Sequence, residues 1–145
     1  MTYDDACQSM FARFNTAWQA NSPAVAPGGS APVICWPYIT DFAPPLSAPW
    51  ARVWNKTSTD KQRSLGRPAI YTVTGFIYVD VFCPANDKQA ANYGRPLAQV
   101  AHDAYVGVSE PNGLWYRNTM IKELSTEVNR YCFRVSSEYS FDYLK

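Results

Sequence analysis

The segment from Tyr71 to Pro84 constrains the fold more than any other stretch, because it combines β-branched and aromatic residues most densely. Its alternation predicts a central β-strand that ends at Pro84, since proline cannot donate a hydrogen bond to a neighbouring strand. One side is aliphatic and should face the core, whereas the other mixes rings, hydroxyl groups and a carboxylate and suits a second layer or subunit. The first side comprises Val73, Ile77, Val79 and Val81, and the second comprises Thr72, Thr74, Phe76, Tyr78, Asp80 and Phe82.

The composition narrows the class of protein. A chain of 145 residues with 47% apolar residues is expected to form one globular domain, which we assign to residues 1–145. The 13 basic and 12 acidic residues give a formal net charge of +1, so no overall field attracts nucleic acid or an anionic membrane. The N-terminal residues are acidic where a signal peptide would be basic, and no apolar run approaches membrane-spanning length. We therefore expect a protein that is made in the cytoplasm and has no membrane partner.

The residues that carry metal or acid–base chemistry are few. Four cysteines lie far apart without a Cys-x-x-Cys pair, which predicts mostly buried thiols and no zinc site: Cys7, Cys35, Cys83 and Cys132. His102 is the only candidate general base near neutral pH, and helical geometry predicts that it projects into solvent with Gln99 and Asp103. The aspartates Asp41, Asp80 and Asp142 are too scattered to predict a site, and no nucleotide-binding or hydrolase motif is present. We expect no enzymatic activity, no cofactor and no metal, although a hydrolase using His102 is a remote alternative.

The first amphipathic helix is predicted to begin after a cap at Thr2 and to end near Ala20. Asp4 and Asp5 complement the helix dipole at its start, which is a better interpretation than a catalytic pair of carboxylates. Arg13 is predicted to face water on the polar side of this helix. The apolar stripe comprises Cys7, Met10, Phe11, Phe14, Ala17 and Trp18.

The segment from Asn21 to Pro49 contains seven prolines, which exclude a long helix and permit only short extended pieces. We predict a short edge strand from Pro32 to Trp36. A linker between two domains is the other interpretation of this segment, but the helix before it is too small to form a domain alone.

A hairpin is predicted next, with a strand from Trp50 to Thr57 and an extended, mobile loop from Ser58 to Pro68. One face of the strand carries large rings and cationic side chains: Trp50, Arg52, Trp54 and Lys56. The loop has a local excess of positive charge, and Leu65 is its only large apolar side chain, the kind of residue that anchors a partner.

The last third of the chain predicts a second helix and a second hairpin. Pro96 implies either a kink in this helix or a helix start near Arg95, and Gly107 is predicted to end the helix. Strands are predicted from Leu114 to Leu124 and from Tyr131 to Tyr143, the latter with one wet face that includes Arg134. The predicted fold is α+β, with a mixed or antiparallel sheet, two helices packed on one face and a long hairpin loop.

The tryptophans and tyrosines allow two interpretations beyond core packing. They could stack sugars or single-stranded bases, but the basic residues cluster in the hairpin loop and not in a stripe along the sheet, which disfavours a glycan or nucleic-acid module. A protein interface is favoured, because tryptophan, tyrosine and arginine on one strand face are typical of subunit contacts. The residues predicted for a subunit or partner interface are Trp50, Arg52, Trp54, Lys61, Gln62, Arg63, Leu65, Phe76 and Tyr78.

Taken together, six stretches of the sequence resemble the tail terminator-like family of long-tailed bacteriophages. The likeness lies in their order and spacing over nearly the whole chain, and the long proline-rich segment from Asn21 to Pro49 departs from the family pattern. The stretches are the aromatic N-terminal helix through Trp18, Pro32–Trp36, Trp50–Val53, Gln62–Gly66, Gly75–Phe82 with Pro84, and Phe141–Tyr143.

The resemblance implies a structural protein of the virion, located at the head-proximal end of the tail. It implies a homo-oligomeric ring, usually a hexamer, that caps the tail tube, ends its polymerisation and provides the docking surface for the head connector. The expected partners are therefore further copies of the chain, the tail tube protein and the head–tail connector protein. A head–tail connector or another minor tail subunit is the closest alternative, and sequence-specific nucleic-acid binding is not expected.

Overall fold

A computed structural model describes residues 1–84, 89–127 and 130–145 of the chain. Within these ranges, two α-helices and five β-strands follow one another in the predicted order, and a short 3₁₀ helix that was not predicted follows the first α-helix. They are α1 (Tyr3–Asn21), the 3₁₀ helix (Ser22–Ala24), β1 (Val33–Cys35), β2 (Trp50–Gln62), β3 (Ile70–Pro84), α2 (Ala90–Asp103), β4 (Trp115–Glu127) and β5 (Arg130–Leu144).

The five strands form one mixed sheet in the order β1-β2-β3-β5-β4. β1 runs parallel to β2, and each of the other neighbouring pairs is antiparallel. The strand predicted to be central therefore occupies the middle of the sheet. The predicted α+β class, with a mixed sheet and two helices, is confirmed.

The core lies between the sheet and the two helices. The four aliphatic residues predicted on one side of β3 are each at most 3% exposed, and they share a single cluster with the stripe of α1 and the apolar side of α2. Burial of each such side chain contributes about 1.5 to 3 kcal/mol before the conformational entropy is counted. The largest fully buried members of that cluster are Trp18, Tyr105, Tyr139, Phe14, Phe141 and Met10.

The ends of α1 are fixed by side chains near the ends of the predicted helix. Thr2 and Asp5 form a capping box in which each side chain bonds the backbone of the other residue. Trp18 donates from its indole nitrogen to the carbonyl oxygen of Pro32 at 2.9 Å, which ties the helix to the segment before β1. The prediction that Arg13 faces water was wrong, because its guanidinium pairs with the carboxylate of Glu110 in the connection after α2.

The second helix begins at Ala90 and contains Pro96, so of the two interpretations of Pro96 the helix start near Arg95 was wrong. It ends at Asp103, and turn residues continue to Gly107, whose φ of 67° suits a glycine. Gly94 lets the helix approach the sheet closely, because a Cβ atom there would lie 2.6 Å from Cε2 of Phe133.

The hairpin between β2 and β3 is more regular than its polar sequence suggests. β2 continues to Gln62, so the loop predicted to begin at Ser58 covers only the residues after Gln62. The strand extends because β3 supplies backbone partners as far as Tyr71, and backbone pairing needs no apolar side chains. A register shift between Thr57 and Thr59 accommodates the pairing.

Within the proline-rich segment, the predicted short edge strand is confirmed as β1. The rest of the segment returns the chain so that β1 can lie parallel to β2, with Val33 opposite Trp50. Phe42 of this segment packs against the Trp50 ring with a centroid distance of 5.1 Å. The segment therefore supplies one strand of the shared sheet and an aromatic ring that packs on it.

Candidate functional site

The side of the sheet opposite the helices is the main candidate site. Among the described residues no helix covers it, and we call it the open face. Its side chains form rows across β2, β3, β5 and β4, because residues directly opposite each other in antiparallel strands point the same way. The rows are Trp50, Phe82, Cys132 and Leu124; Arg52, Asp80, Arg134 and Lys122; Trp54, Tyr78, Ser136 and Met120; and Lys56, Phe76, Glu138 and Arg117.

Asp80 lies in the middle of the open face, and none of its side chain is exposed. Arg134 donates from Nε to Oδ1 at 2.7 Å and from Nη2 to Oδ2 at 3.2 Å. Arg52 donates from Nη2 to Oδ2 at 3.0 Å, and the indole nitrogen of Trp54 lies 3.4 Å from the same oxygen. The buried carboxylate is thus paired and hydrogen-bonded, which a charge in such a place requires.

The charge state of this cluster follows from its contacts. Burial alone would raise the pKa of the Asp80 carboxyl, but the hydrogen bonds from Arg134 and Arg52 outweigh burial and hold this pKa below its usual value. Two guanidinium groups therefore share one carboxylate and leave an excess of one positive charge. The side chain of Arg52 is 45% exposed and that of Arg134 is 31% exposed, so their remaining N–H groups can reach an acceptor on a partner.

Aromatic rings flank the cluster on one side. Trp54 and Tyr78 stack with their centroids 4.3 Å apart, and the guanidinium carbon of Arg134 lies 5.6 Å and 5.4 Å from the two ring centroids. Phe76 lies in the next row, with its ring centroid 6.0 Å from that of Tyr78. All three rings are half-buried, so each keeps surface that a partner could cover.

Trp50 has a different environment on the other side of the cluster. It is only 6% exposed, because Phe82 stacks on its ring at 4.3 Å and Phe42 packs against it. The guanidinium of Arg130 lies 5.5 Å from its ring centroid. Trp50 therefore holds the sheet to the proline-rich segment and keeps little surface for a partner.

The end of the β2–β3 hairpin is the second candidate surface. Leu65 is 99% exposed at the end of this turn, and Arg63 beside it is also exposed. The turn is fixed by Ser64, whose carbonyl oxygen accepts from the Gln62 side chain at 2.7 Å and whose hydroxyl accepts from the Ile70 backbone at 2.9 Å. A large apolar side chain on an anchored turn is suited to a partner's pocket.

Positive charge concentrates on the open face. Among the side chains that the structure describes, seven cations and three acids lie on this face, an excess of +4 in a chain whose formal net charge is +1. The prediction that basic residues cluster in the hairpin loop and form no stripe on the sheet was wrong, because strand register aligns residues distant in sequence. The cations are Arg52, Lys56, Lys61, Arg117, Lys122, Arg130 and Arg134, and the acids are Asp80, Glu138 and Asp142.

The structure brings together part of the predicted interface. Trp50, Arg52, Trp54, Phe76 and Tyr78 share the open face, and Lys61 lies on it opposite Thr72, near the hairpin end. Gln62, Arg63 and Leu65 belong to the hairpin end itself. Their role as an interface remains a prediction.

Sequence reasoning missed the two residues that organise the open face. Asp80 was judged too scattered to belong to a site, and Arg134 was predicted to face water. The available signal was an aspartate that is the one charged residue of its strand, because such a charge is almost never buried without a partner. The identity of that partner depends on register, which places Arg52 and Arg134 on either side of Asp80.

His102 lies in the last turn of α2, close to the two residues predicted beside it. Its Nδ1 is 3.2 Å from the Gln99 amide nitrogen and 2.9 Å from the Asp103 carboxylate. The side chain is only 21% exposed, so it is less solvated than predicted. Within the described ranges no three His, Cys, Asp or Glu residues are grouped as metal ligands would be, and no described helix is long and apolar enough to cross a membrane.

Comparisons with known proteins bear on the fold. No protein-family model matches the chain, and no curated protein matches it. Among solved structures, 21 chains match. One of them aligns over 97% of this chain and 96% of its own length, with a TM-score of 0.65 and 19% sequence identity, and its name describes no function. At that identity the similarity extends to the fold alone, so this chain shares its α+β class of architecture with a protein of almost the same size.

Proposed function

We propose that this chain is a structural protein of a bacteriophage tail that forms a ring on the head-proximal end of the tail tube. The ring ends tube polymerisation and gives the head connector a surface on which to dock. The sequence resemblance described above suggests the role, and the distribution of surface chemistry supports it.

The observation that carries the proposal is that one subunit bears two different surfaces suited to partners. The open face presents Trp54, Tyr78 and two arginines around Asp80, whereas the hairpin end presents Leu65 on an anchored turn. A ring closes through heterologous contacts, in which each subunit offers two unlike patches. Tryptophan, tyrosine and arginine are also the residues that dominate binding energy at interfaces.

The mechanism requires no reactive group. One side of the ring matches the last ring of the tube, and the other side presents a different surface to which no further tube subunit can add. The hairpin end is assigned to a neighbouring subunit or the tube, because Lys61, Arg63 and Leu65 are exposed there.

Particles assembled without this protein provide the direct test. Electron microscopy should reveal overlong or uncapped tails, because nothing would end tube growth. Normal tails that lack heads would contradict termination and indicate a head–tail connector or neck subunit instead. In a second experiment, light scattering of the purified chain mixed with tube protein should reveal a complex that neither protein forms alone.

A binding module for glycans or single-stranded nucleic acid is the second candidate. The observation in its favour is the row of cations beside Trp54 and Tyr78, which resembles a stacking platform. The two rings already use one face on each other, which leaves less area for a sugar or base. Titration with oligosaccharides and oligonucleotides should leave tryptophan fluorescence unchanged, and saturable quenching would favour this candidate over the tail protein.

A further inference from the structure

A second surface of the chain carries the charge opposite to that of the open face. We define the helix side as the surface of α1, α2 and residues 104–114. It bears Asp4, Asp5, Asp103 and Glu110 against Arg13 and Arg95, an excess of two negative charges that contrasts with +4 on the open face.

The cations of the helix side are already engaged within the chain. Arg13 pairs with Glu110, and Arg95 lies 3.3 Å from the carboxylate of Glu123. Asp103 keeps 60% of its side chain exposed, and the hydrogen bond from His102 lowers the pKa of its carboxyl. Asp103 therefore offers ionised carboxylate oxygens to an external cation at neutral pH.

The helix side also has a groove that side chains could enter. An open cavity of about 530 Å³ runs beside α1, with Asp103 and Glu110 among its lining residues. Its floor is made largely of small side chains from α1, including Ala12 and Ala20, so long side chains can approach the helix closely. Lys122 of the open face is exposed at the last strand of the sheet and has the length and charge to reach such a groove.

We propose that copies of this chain associate head to tail, with the open face of one copy against the helix side of the next. This inference rests on the ring proposed above. It assigns the contact between subunits to the open face and the helix side, which leaves the hairpin end for the tail tube. The surfaces lie on opposite sides of one sheet and cannot contact each other within a chain, so the contact is heterologous and propagates. Opposite net charges favour this pairing and disfavour contact of two open faces.

Charge reversal on each surface tests the inference. The open-face variant combines Lys56→Glu, Lys61→Glu and Lys122→Glu, which changes the charge of that face from +4 to −2. The helix-side variant combines Asp4→Lys with Asp103→Lys, which changes the charge of that side from −2 to +2; all five side chains are exposed. Each variant alone should weaken self-association about tenfold or more in sedimentation experiments at low salt, because like charges would then face each other. Asp41→Lys, at an exposed residue of the proline-rich segment that belongs to neither set of charged residues, is the control and should associate like the unmodified chain.

Restoration is the decisive measurement. A mixture of the two reversed variants should associate again, because each open face then meets a helix side of opposite charge. One chain carrying all five substitutions should also associate, and added salt should weaken every complex. Circular dichroism and thermal melting would verify that the variants are folded.

Three outcomes would overturn the inference. The first is association of the reversed variants at unmodified strength, and the second is failure of both the mixture and the variant with all five substitutions to recover. A chain that stays monomeric at millimolar concentration and low salt would also overturn it, yet would leave the terminator role open because the tube could nucleate the ring. Conversely, restored association combined with normal tails in particles lacking the protein would refute the terminator role and leave the inference standing.

Discussion

The two sides of the sheet are built from alternate residues of the same strands, yet they are stabilised in different ways. On the side of β3 that faces the core, Ile77 and Val79 are each 1% exposed and pack among other apolar side chains. On the open face, Asp80 is equally buried but is held by two arginines and flanked by stacked rings. Aliphatic packing is non-directional and nearly complete within the chain, whereas arginines and half-buried rings keep donors and surface for a partner. The comparison therefore separates residues that fold the chain from residues suited to assembling it.

The largest expected loss of stability comes from Ile77 on the core side of β3, and its neighbour Phe76 on the open face provides the comparison. Ile77→Ala should lower the free energy of unfolding by about 2 to 5 kcal/mol, because it leaves a cavity in a close-packed core. Phe76→Ala should lower it by about 1.5 kcal/mol or less, because the ring is only half-buried in the single chain. Urea unfolding of both variants measures the difference. Equal losses would mean that the open face stabilises the isolated chain as much as the core does and is not a surface kept for a partner.

Asp80→Asn should cause the next largest loss in the free energy of unfolding, about 2 to 3 kcal/mol. It leaves the guanidinium groups of Arg52 and Arg134 without their shared counter-charge, and breaking a buried ion pair costs about 3 to 5 kcal/mol. Because Arg52 and Arg134 are partly exposed, the expected loss of unfolding free energy is smaller than that. Chemical unfolding at neutral pH is the measurement, and Glu138→Gln, which alters the more exposed pair with Arg117, is the control and should lose about 1 kcal/mol at most.

The same variant has a defined pH dependence. The folded-state pKa of Asp80 is depressed, so its stabilising contribution is complete above the unfolded-state pKa of about 3.9 and is lost as pH falls through the lower folded-state value. The gap in stability between the unmodified chain and Asp80→Asn should therefore narrow below about pH 4. A gap that stays constant between pH 7 and pH 3 would show that charge pairing is not its cause.

Gly94→Ala tests how tightly α2 packs on the sheet. Helix propensity alone predicts stabilisation by about 1 kcal/mol, because glycine is a poor residue inside a helix. The structure predicts the opposite, a loss of about 1 to 2 kcal/mol, because the new Cβ would lie 2.6 Å from Phe133 and 2.9 Å from Sγ of Cys83. Thermal unfolding decides the sign, and an increase in stability would mean that α2 can move away from the sheet at little cost.

The sequence predicted the core side of the sheet better than the open face, for a physical reason. Alternation and helical periodicity depend only on local spacing, so the core side of β3 and the stripe of α1 could be identified directly. Contacts such as Arg52–Asp80–Arg134 depend on the register of three strands, which no local pattern contains. The extension of β2 beyond Thr57 was missed for a related reason, because its stability comes from backbone partners in β3.

Leu65→Ser should have the smallest effect on folding and thereby sharpens the comparison most. With 99% of the side chain exposed, the free energy of unfolding should change by less than about 0.5 kcal/mol. Leu46→Ser is a matched control, since Leu46 is 90% exposed in the proline-rich segment, away from the hairpin end. If the hairpin end contacts a neighbour or the tube, Leu65→Ser alone should reduce co-sedimentation with tube protein. Equal binding by the two variants would remove Leu65 from the interface, and an unfolded Leu65→Ser chain would show that the turn belongs to the fold.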